Sequence, residues 1–374
     1  MKKILLYDAS NSGHHFFYNY TVLKSLRRYN DKLDITFVSP VTEQAQISKI
    51  STLNVKLINN AEYFYAKNNK VISFLRYAKI LNLIRKEKID IIHFLYLDSE
   101  ILNMFILRRF TLFTKVMGTL HWYPSNTKKR YMISSLINNK ILNTIIVHGE
   151  YTKNKIFRHS NTSKVHSITY PNFHGNSYEM ITSKYEKIRL LAFGGLRFDK
   201  GIDLLIKSLE NVSHDYELLI AGQEDYFTKS DLENLIKERG IESKVKMDLR
   251  YLSDKELDDY FNKSDIVVLP YRRYFSGQSG PLTEGVARNK IILGPNTGEV
   301  GFTIDKYNLG RTFVPEDIDD LAKEIKYLIE NFREQKESLL PYQEDYKKLL
   351  SIDTFINSYI SIYNETLTSL EDKE

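Results

Sequence analysis

The chain contains no cysteine. Disulfides, thiolate metal sites and a cysteine nucleophile are therefore excluded, and the absence fits a reducing cytoplasm. Long apolar runs are also missing. The N-terminal run from Met1 to Tyr7 is too short for a signal peptide. The most apolar later stretch, 101–113, is interrupted by Arg108 and Arg109, so no membrane-spanning helix is expected. Glycine is scarce in the first loop: Asn11-Ser-Gly-His-His15 has a single one. That is not a GxGxxG fingerprint, which argues against a dinucleotide-binding oxidoreductase. Acidic residues are scarce in the first half. Residues 1–180 hold 26 Lys/Arg against 11 Asp/Glu, a net of +15, and the remainder holds 27 against 36, a net of −9. Between residues 101 and 164 there are 11 basic residues and one acid, Glu150. Such a split points to an anionic partner: nucleic acid, an anionic membrane surface or a phosphorylated substrate. The competing reading is a solvated surface in a Lys-rich protein. Nucleic acid fits poorly, because the basic residues form no recognisable reading motif.

What is present is a folded, two-part chain. The 42% hydrophobic and 27% charged residues match a globular protein, and 374 residues exceed one typical core. Lys3-Ile-Leu-Leu-Tyr7 ends at Asp8 and reads as a buried parallel strand, followed by a helix from about Phe16 to Arg28. Further strand-like runs stand at 34–38, 55–58, 90–96, 115–120 and 144–147. Val71 to Lys88 reads as a basic amphipathic helix with Ile72, Leu75, Ala78, Ile80 and Leu83 as its apolar positions. Such a helix covers a sheet or lies against a membrane surface. His121-Trp122-Tyr123-Pro124 follows a strand end, where ligand groups sit in open parallel sheets. His121 there is placed to hydrogen-bond a substrate or carry a proton; the alternative is a structural histidine beside a proline turn. His93 lies inside an apolar strand and reads as a satisfied core residue, and His148 reads either way.

Tyr170 to Gly175 reads as a turn, and the polar segment after it, to about Tyr185, as a linker. A second alternation then begins. Strands are expected at 189–193, 216–220, 244–249, 265–270 and 291–293, with helices after Gly201 through Leu209 and at 231–239, 317–331 and 354–364. Ser253-Asp-Lys-Glu256 matches a capping box, with Leu257, Tyr260 and Phe261 on one face of its helix. Two successive β/α alternations imply two doubly wound α/β domains, 1–175 and 176–351.

Candidate chemistry concentrates in the second domain. Arg197 and Lys200 share a loop flanked by Gly194, Gly195 and Gly201. Two cations on such a loop hold a diphosphate through charge-assisted hydrogen bonds; the competing reading is two surface cations. Tyr271 to Ala287 runs from an apolar strand through Ser276-Gly277-Gln278-Ser279-Gly280 into a helix. Backbone N–H groups at such a joint suit an anion, and glycine admits close approach. Glu284 lies about one turn into that helix, where a carboxylate accepts hydrogen bonds from sugar hydroxyls. Asp317-Ile-Asp319 fits a D-x-D pattern. It opens a helix, where acids serve capping, so it is read as structural and no metal is expected.

These motifs carry a resemblance. Phe193-Gly-Gly-Leu-Arg-Phe-Asp-Lys-Gly201 resembles the donor loop of family 4 of retaining, nucleotide-sugar-dependent glycosyltransferases. Ser276 to Ala287 resembles that family's Glu-x7-Glu region. Tyr-Pro-Asn at 170–172 is similar to its hinge, and Thr-Leu-His at 119–121 to its N-domain histidine motif. The likeness covers nearly the whole chain and is strongest over 188–300. It implies a GT-B fold: two Rossmann-like domains facing a cleft, with a last helix, 352–374, crossing back to the first. It implies that Arg197 and Lys200 bind the donor diphosphate and that Glu284 meets the nucleotide ribose. Arg250 and Tyr251 would pack on the base. Gly13 would face the donor phosphates and acceptor, and His121 the sugar. Gly195, Gly277, Gln278, Ser279 and Gly280 complete the donor set, and His14, His15, Trp122 and Tyr123 the acceptor set. In one place the chain departs: Ser276 stands where the family's first glutamate would be. A serine supplies no negative charge beside an oxocarbenium ion. Family members with a Q-S-G loop resemble this chain, so the change bears on the identity of the sugar rather than on activity.

The expected function is retaining transfer of a hexosyl or N-acetylhexosaminyl group from a nucleotide sugar, UDP favoured, to a glycan hydroxyl, without a metal. The acceptor expected is a lipid-linked intermediate of surface polysaccharide or cell-wall glycan, handled at the inner face of the cell membrane. The second reading, prompted by Ser276, is an inactive GT-B subunit that binds a partner transferase or a glycan. A nucleotide-sugar epimerase is weaker, since no acid/base pair stands out beyond Glu284 and His121.

Overall fold

The computed structural model describes residues 1–11, 15–60, 69–108, 114–124, 126–158, 164–173 and 187–371. Gly13, His14 and the expected linker at 176–185 lie outside these residues. Met1–Thr169 with Ile352–Glu374 form one compact unit, and Tyr170–Ser351 form the other. The Tyr170–Asn172 turn therefore lies with the second unit, where the Asn172 N–H donates to the Leu350 carbonyl.

The first unit alternates β1 (Lys3–Tyr7), α1 (His15–Tyr29), β2 (Asp34–Val38), α2 (Gln44–Ser51), β3 (Lys56–Ile58), α3 (Lys70–Glu87), β4 (Ile91–Phe94), α4 (Ile101–Ile106), β5 (Lys115–Leu120), α5 (Thr127–Asn138), β6 (Thr144–His148), α6 (Glu150–Phe157) and β7 (Val165–Ile168). Its strands pair in parallel in the order β3-β2-β1-β4-β5-β6-β7. The central strands read as continuous apolar runs because both faces are covered. Leu5, Ile92, Phe94 and Val116 pack with Tyr77, Ile80 and Ile84 of α3. The apolar face of α3 is thus not the expected one throughout: Ile80 and Leu83 are buried, whereas Leu75 is exposed and Tyr77, Leu81 and Ile84 turn inward. α14 (Ile352–Glu371) belongs to this unit and packs on α1. Phe355, Tyr359, Tyr363 and Leu367 are buried at a spacing of one helical turn.

The second unit alternates β8 (Ile188–Phe193), α7 (Ile202–Leu209), β9 (Tyr216–Ala221), α8 (Lys229–Glu238), β10 (Val245–Asp248), α9 (Asp254–Lys263), β11 (Ile266–Val268), α10 (Gly280–Ala287), β12 (Ile291–Pro295), α11 (Gly298–Tyr307), β13 (Gly310–Phe313), α12 (Ile318–Glu330) and α13 (Phe332–Leu349). The parallel order is β10-β9-β8-β11-β12-β13. Successive residues face opposite layers. Leu190 packs with Leu205 of α7 and Ile325 of α12, whereas Leu191 packs with Phe261 of α9 and Val286 of α10. The capping box of α9 forms as expected between Ser253 and Glu256. Asp317 caps α12 by accepting the Asp320 N–H at 3.0 Å. Strand order reverses direction between β1 and β4 in one sheet and between β8 and β11 in the other. Ligands of open α/β sheets bind at the carboxyl ends of strands at such points.

Candidate functional site

At the β8/β11 switch point the chain turns on glycine. Gly201 has φ +65°, and a Cβ there would stand 2.0 Å from the Pro270 carbonyl oxygen. The glycine lets the 198–200 turn lie directly against the segment after β11. Lys200 consequently meets that segment: its Nζ sits 3.8 Å from the Tyr271 ring centroid and 4.0 Å from that of Phe275. Ammonium over aromatic faces is attracted by the ring quadrupole. Burial, and then the neighbouring Arg197 charge, push the Lys200 pKa down to about 7, while Asp199 opposes the shift. Arg197 forms a two-point pair with Asp199, Nε to Oδ1 at 2.9 Å and a terminal nitrogen to Oδ2. Its side chain is 43% exposed. A Cβ at Gly194 or Gly195 would meet nothing within 4 Å. Beside them opens a small space of about 20 Å³ that Lys200, Pro270 and Tyr271 also line. Bare backbone, a poised cation and open space together suit an anionic ligand.

Arg272, which sequence reading passed over, holds this arrangement. It is buried and pairs with both Asp203 oxygens at 3.0 and 2.9 Å. It also donates to the Phe198 carbonyl at 2.9 Å and lies 3.8 Å over the Phe198 ring. One guanidinium thus ties the cation loop to α7 and to the end of β11.

Glu284 is buried in α10, with Oε2 2.5 Å from Arg288 Nη1 and 3.5 Å from Asn172 Nδ2. Arg288 pairs in turn with Asp258. Ser279 caps α10: its Oγ accepts the Leu282 N–H at 3.3 Å and lies 3.0 Å from the Tyr271 hydroxyl. Ser276 and Gln278 are half-buried and Gly277 is buried, while Gly280 is exposed at the helix start. Arg250 is exposed and paired with Asp248 and Glu256, and Tyr251 beside it is 73% exposed. A groove of about 390 Å³ runs between α9 and the edge strand β10, past Arg189, Glu217, Asp248, Arg250 and Tyr260. Its charges satisfy each other, Arg189 with Glu217 and Arg250 with Asp248, both at 3.0 Å.

The first unit's edge is of another kind. The rings of His15, Tyr96 and His121 form a parallel stack, with both centroid separations 3.8 Å. His121 Nε2 lies 3.0 Å from the Leu95 carbonyl, and the His121 and Trp122 N–H groups donate to Asp98 at 2.9 and 3.0 Å. Burial, and then the nearby His148, hold the His121 pKa well below the usual value. His121 is therefore a neutral hydrogen-bonding group rather than a cation. Burial raises Asp98 to about 6, against the pull of the two N–H groups it accepts. Behind the stack runs a buried network. His148 Nε2 lies 3.0 Å from the Tyr18 hydroxyl, which meets Tyr359, and His93 bridges Tyr363 and Thr119 at 2.5 and 2.9 Å. His93 and His148 are thus satisfied core residues. Trp122 is exposed, and Tyr123 is half-buried with Arg130 5.7 Å from its ring.

Two all-parallel Rossmann-like units, each with a furnished switch point, define a GT-B-type α/β protein. Residues 179–343, most of the second unit, match the family described as Glycosyl transferases group 1. Solved structures of this fold span the whole chain. A sucrose-phosphate synthase from Thermosynechococcus elongatus superposes with a TM-score of 0.76 at 14% identity, covering 99% of this chain and 100% of that one. HepE from Anabaena in complex with UDP-glucose gives 0.70 at 16% identity, covering 99% and 100%. The lipopolysaccharide outer core galactosyltransferase WaaB gives 0.73 at 15% identity, covering 99% of each chain. No curated protein sequence matches the chain. Among the described residues no helix is long and apolar enough to cross a membrane.

Proposed function

We propose that this protein is a retaining glycosyltransferase that moves a sugar from a nucleotide diphosphate sugar to a glycan hydroxyl. The observation that carries the reading is Lys200, held between two aromatic rings beside Arg197 and the bare backbone of Gly194 and Gly195. In this reading the diphosphate lies on that loop. The acceptor oxygen bonds to the anomeric carbon as the carbon–oxygen bond to the diphosphate breaks. The bonding pair leaves on the diphosphate oxygen, and the hydroxyl proton follows it there. Arg197, Lys200 and loop N–H groups stabilise that charge, rather than a metal. Glu284, kept in place by Arg288, meets the ribose, and Arg250 and Tyr251 flank the base. Ser276, Gln278 and the loop amides contact the sugar, and His121 accepts one of its hydroxyls. HepE, crystallised with UDP-glucose, favours UDP as the carrier.

The acceptor in this reading is lipid-linked, within surface polysaccharide or cell-wall glycan synthesis at the inner membrane face. Val71 and Leu75 are exposed on α3, which also carries Lys70, Lys79, Arg85 and Lys86. Apolar and basic groups on one helix suit an anionic bilayer surface. Equal binding to anionic and neutral vesicles would count against it.

The test of the function is thermal stabilisation by a panel of nucleotide sugars and free nucleoside diphosphates. Saturation at about a hundred times Kd stabilises by roughly 2.7 kcal/mol. One nucleotide sugar is expected to raise the melting temperature selectively. No shift with any would favour the second reading, an inactive subunit that binds a partner transferase or glycan, which Ser276 motivates.

A further inference from the structure

We propose that Asp8 is a positioning residue: it fixes His15 so that Nε2 accepts a hydrogen bond from a hydroxyl of the acceptor sugar. The proposal rests on the transferase reading and adds a residue to it. Asp8 follows β1 at the first sheet's switch point and is 1% exposed. Its Oδ2 lies 2.7 Å from His15 Nδ1 and 2.7 Å from Asn19 Nδ2, and Oδ1 accepts the Ser10 N–H at 3.0 Å. A carboxylate buried with such partners is fully engaged rather than stranded. It only accepts, so the His15 proton sits on Nδ1 and Nε2 is left as an acceptor.

Tyr96 holds the ring from the side, stacked at 17°. His121 covers the other Tyr96 face at 4°. Two rings cannot occupy one face at that separation, so the imidazoles stand about 7.6 Å apart across Tyr96. His121 donates Nε2–H to the Leu95 carbonyl, which leaves its Nδ1 as an acceptor as well. Among the described residues neither His15 Nε2 nor His121 Nδ1 has a partner, and the His15 side chain is 23% exposed. Two ring-nitrogen acceptors on an aromatic ladder match hydroxyl donors. The second-unit edge, with its cations, has the opposite preference. The sugar acceptor is therefore assigned to the His15 end of the ladder, and the transferred sugar to the His121 end.

Asp8→Ala, set against Asp8→Asn, separates this role from that of a mere staple between β1 and α1. Alanine removes the acceptor that holds the proton on Nδ1, whereas the asparagine oxygen at the Oδ2 position still accepts from His15 Nδ1 and Asn19 Nδ2. The full chain is labelled with ¹⁵N-histidine, and the ring-nitrogen resonances report the tautomer. UDP-glucose and a panel of methyl glycosides (glucose, galactose, N-acetylglucosamine) are then titrated, and transfer kinetics are measured. The expected result is loss of the Nδ1–H tautomer in D8A and a KM for the accepted glycoside raised about tenfold, more than the KM for UDP-glucose, with both largely restored in D8N. His15→Gln, whose amide oxygen falls near the Nε2 position, is expected to keep part of the acceptor affinity that His15→Ala loses, and adding D8A to it is expected to change little more. If D8A does not fold, the H15Q and H15A pair decides, since a staple alone gives both the same acceptor KM. Transfer by the wild type with an acceptor KM that D8A leaves in place overturns the assignment alone. Absence of any transfer or glycoside binding in the wild type overturns the transferase reading, and the assignment with it.

Discussion

The two switch points differ in charge, and in the sense opposite to the composition. The first half of the chain carries the excess of lysine and arginine, yet its strand edge is built from Asp8, His15, Tyr96, Asp98 and His121. The second half is net acidic, yet its edge presents Lys200 and Arg197, the latter paired with Asp199. Much of the first unit's basic charge lies on helices such as α3 and α5. Net charge reports on long-range fields and surfaces, while a site is made by a few groups that the fold brings together. The same halves that looked basic and acidic place histidines and carboxylates at one edge and cations at the other.

Breaking the cationic edge has the largest expected effect. Arg197→Ala with Lys200→Met is expected to lower transfer about 10³-fold and to abolish stabilisation by UDP-glucose, read by initial rates and melting curves. The scaffold of that edge comes next. Arg272→Ala leaves buried Asp203 with only Lys207, 3.5 Å away, and urea unfolding is expected to show a loss of about 3 kcal/mol. At the first edge, His121→Ala is expected to lower transfer about 10²-fold while binding of UDP, which carries no sugar, stays within about twofold. Loss of binding in that variant would erase the contrast between the two edges.

A pH series sharpens the comparison further. With its pKa pushed down to about 7, Lys200 loses its proton in the unliganded protein above that pH. The unfolded chain holds the proton to about pH 10.4. Between these values the unfolded state binds more protons, so this group's penalty on folding is relieved as pH rises. Binding of a diphosphate raises the Lys200 pKa again. UDP-glucose binding is therefore expected to take up a proton and to weaken as pH rises from about 7 to 9. Calorimetry in two buffers of different ionisation enthalpy reads this uptake. The same uptake in Lys200→Met would assign it elsewhere. The smallest effect is expected at Ser279: removal of the α10 cap by alanine should cost about 1 kcal/mol.

The buried parallel strands were legible because their apolar runs are short, continuous and bounded. β1, β2 and β5 begin and end where the pattern places them. The face of α3 was less legible. Its aromatic Tyr77 goes inward and Leu75 outward, since helix orientation is set by the sheet it covers and not by the helix alone. Among the described residues α2, α4, α5 and α11 went unmarked, as did β7 and β13. So did α13, which runs through Pro341, a residue that ordinarily argues for a break. It is held by Tyr346 in the core and by Gln343, which donates to the Lys290 carbonyl at 2.8 Å.

The candidate site divides in the same way. Arg197, Lys200 and Glu284 stand in local motifs, so spacing and resemblance point to them. Arg272 and its partner Asp203 are 69 positions apart, and His121 and Asp98 are 23 apart. No window of sequence contains such pairs. Asp8 sits next to its motif but reads only as the end of a strand, because its meaning lies in the His15 ring it faces. A usable signal was the sequence Tyr271-Arg272: a cation directly after a buried strand has to find a carboxylate nearby.

The measurement that bears most directly on the account is the calorimetric affinity of UDP, GDP and ADP for the wild type and for the R197A/K200M variant. The account predicts that one nucleoside diphosphate binds the wild type selectively, and that the double substitution weakens it at least about a hundredfold with the fold intact. Undiminished binding to the variant would place the diphosphate elsewhere and contradict the assignment of the cationic edge.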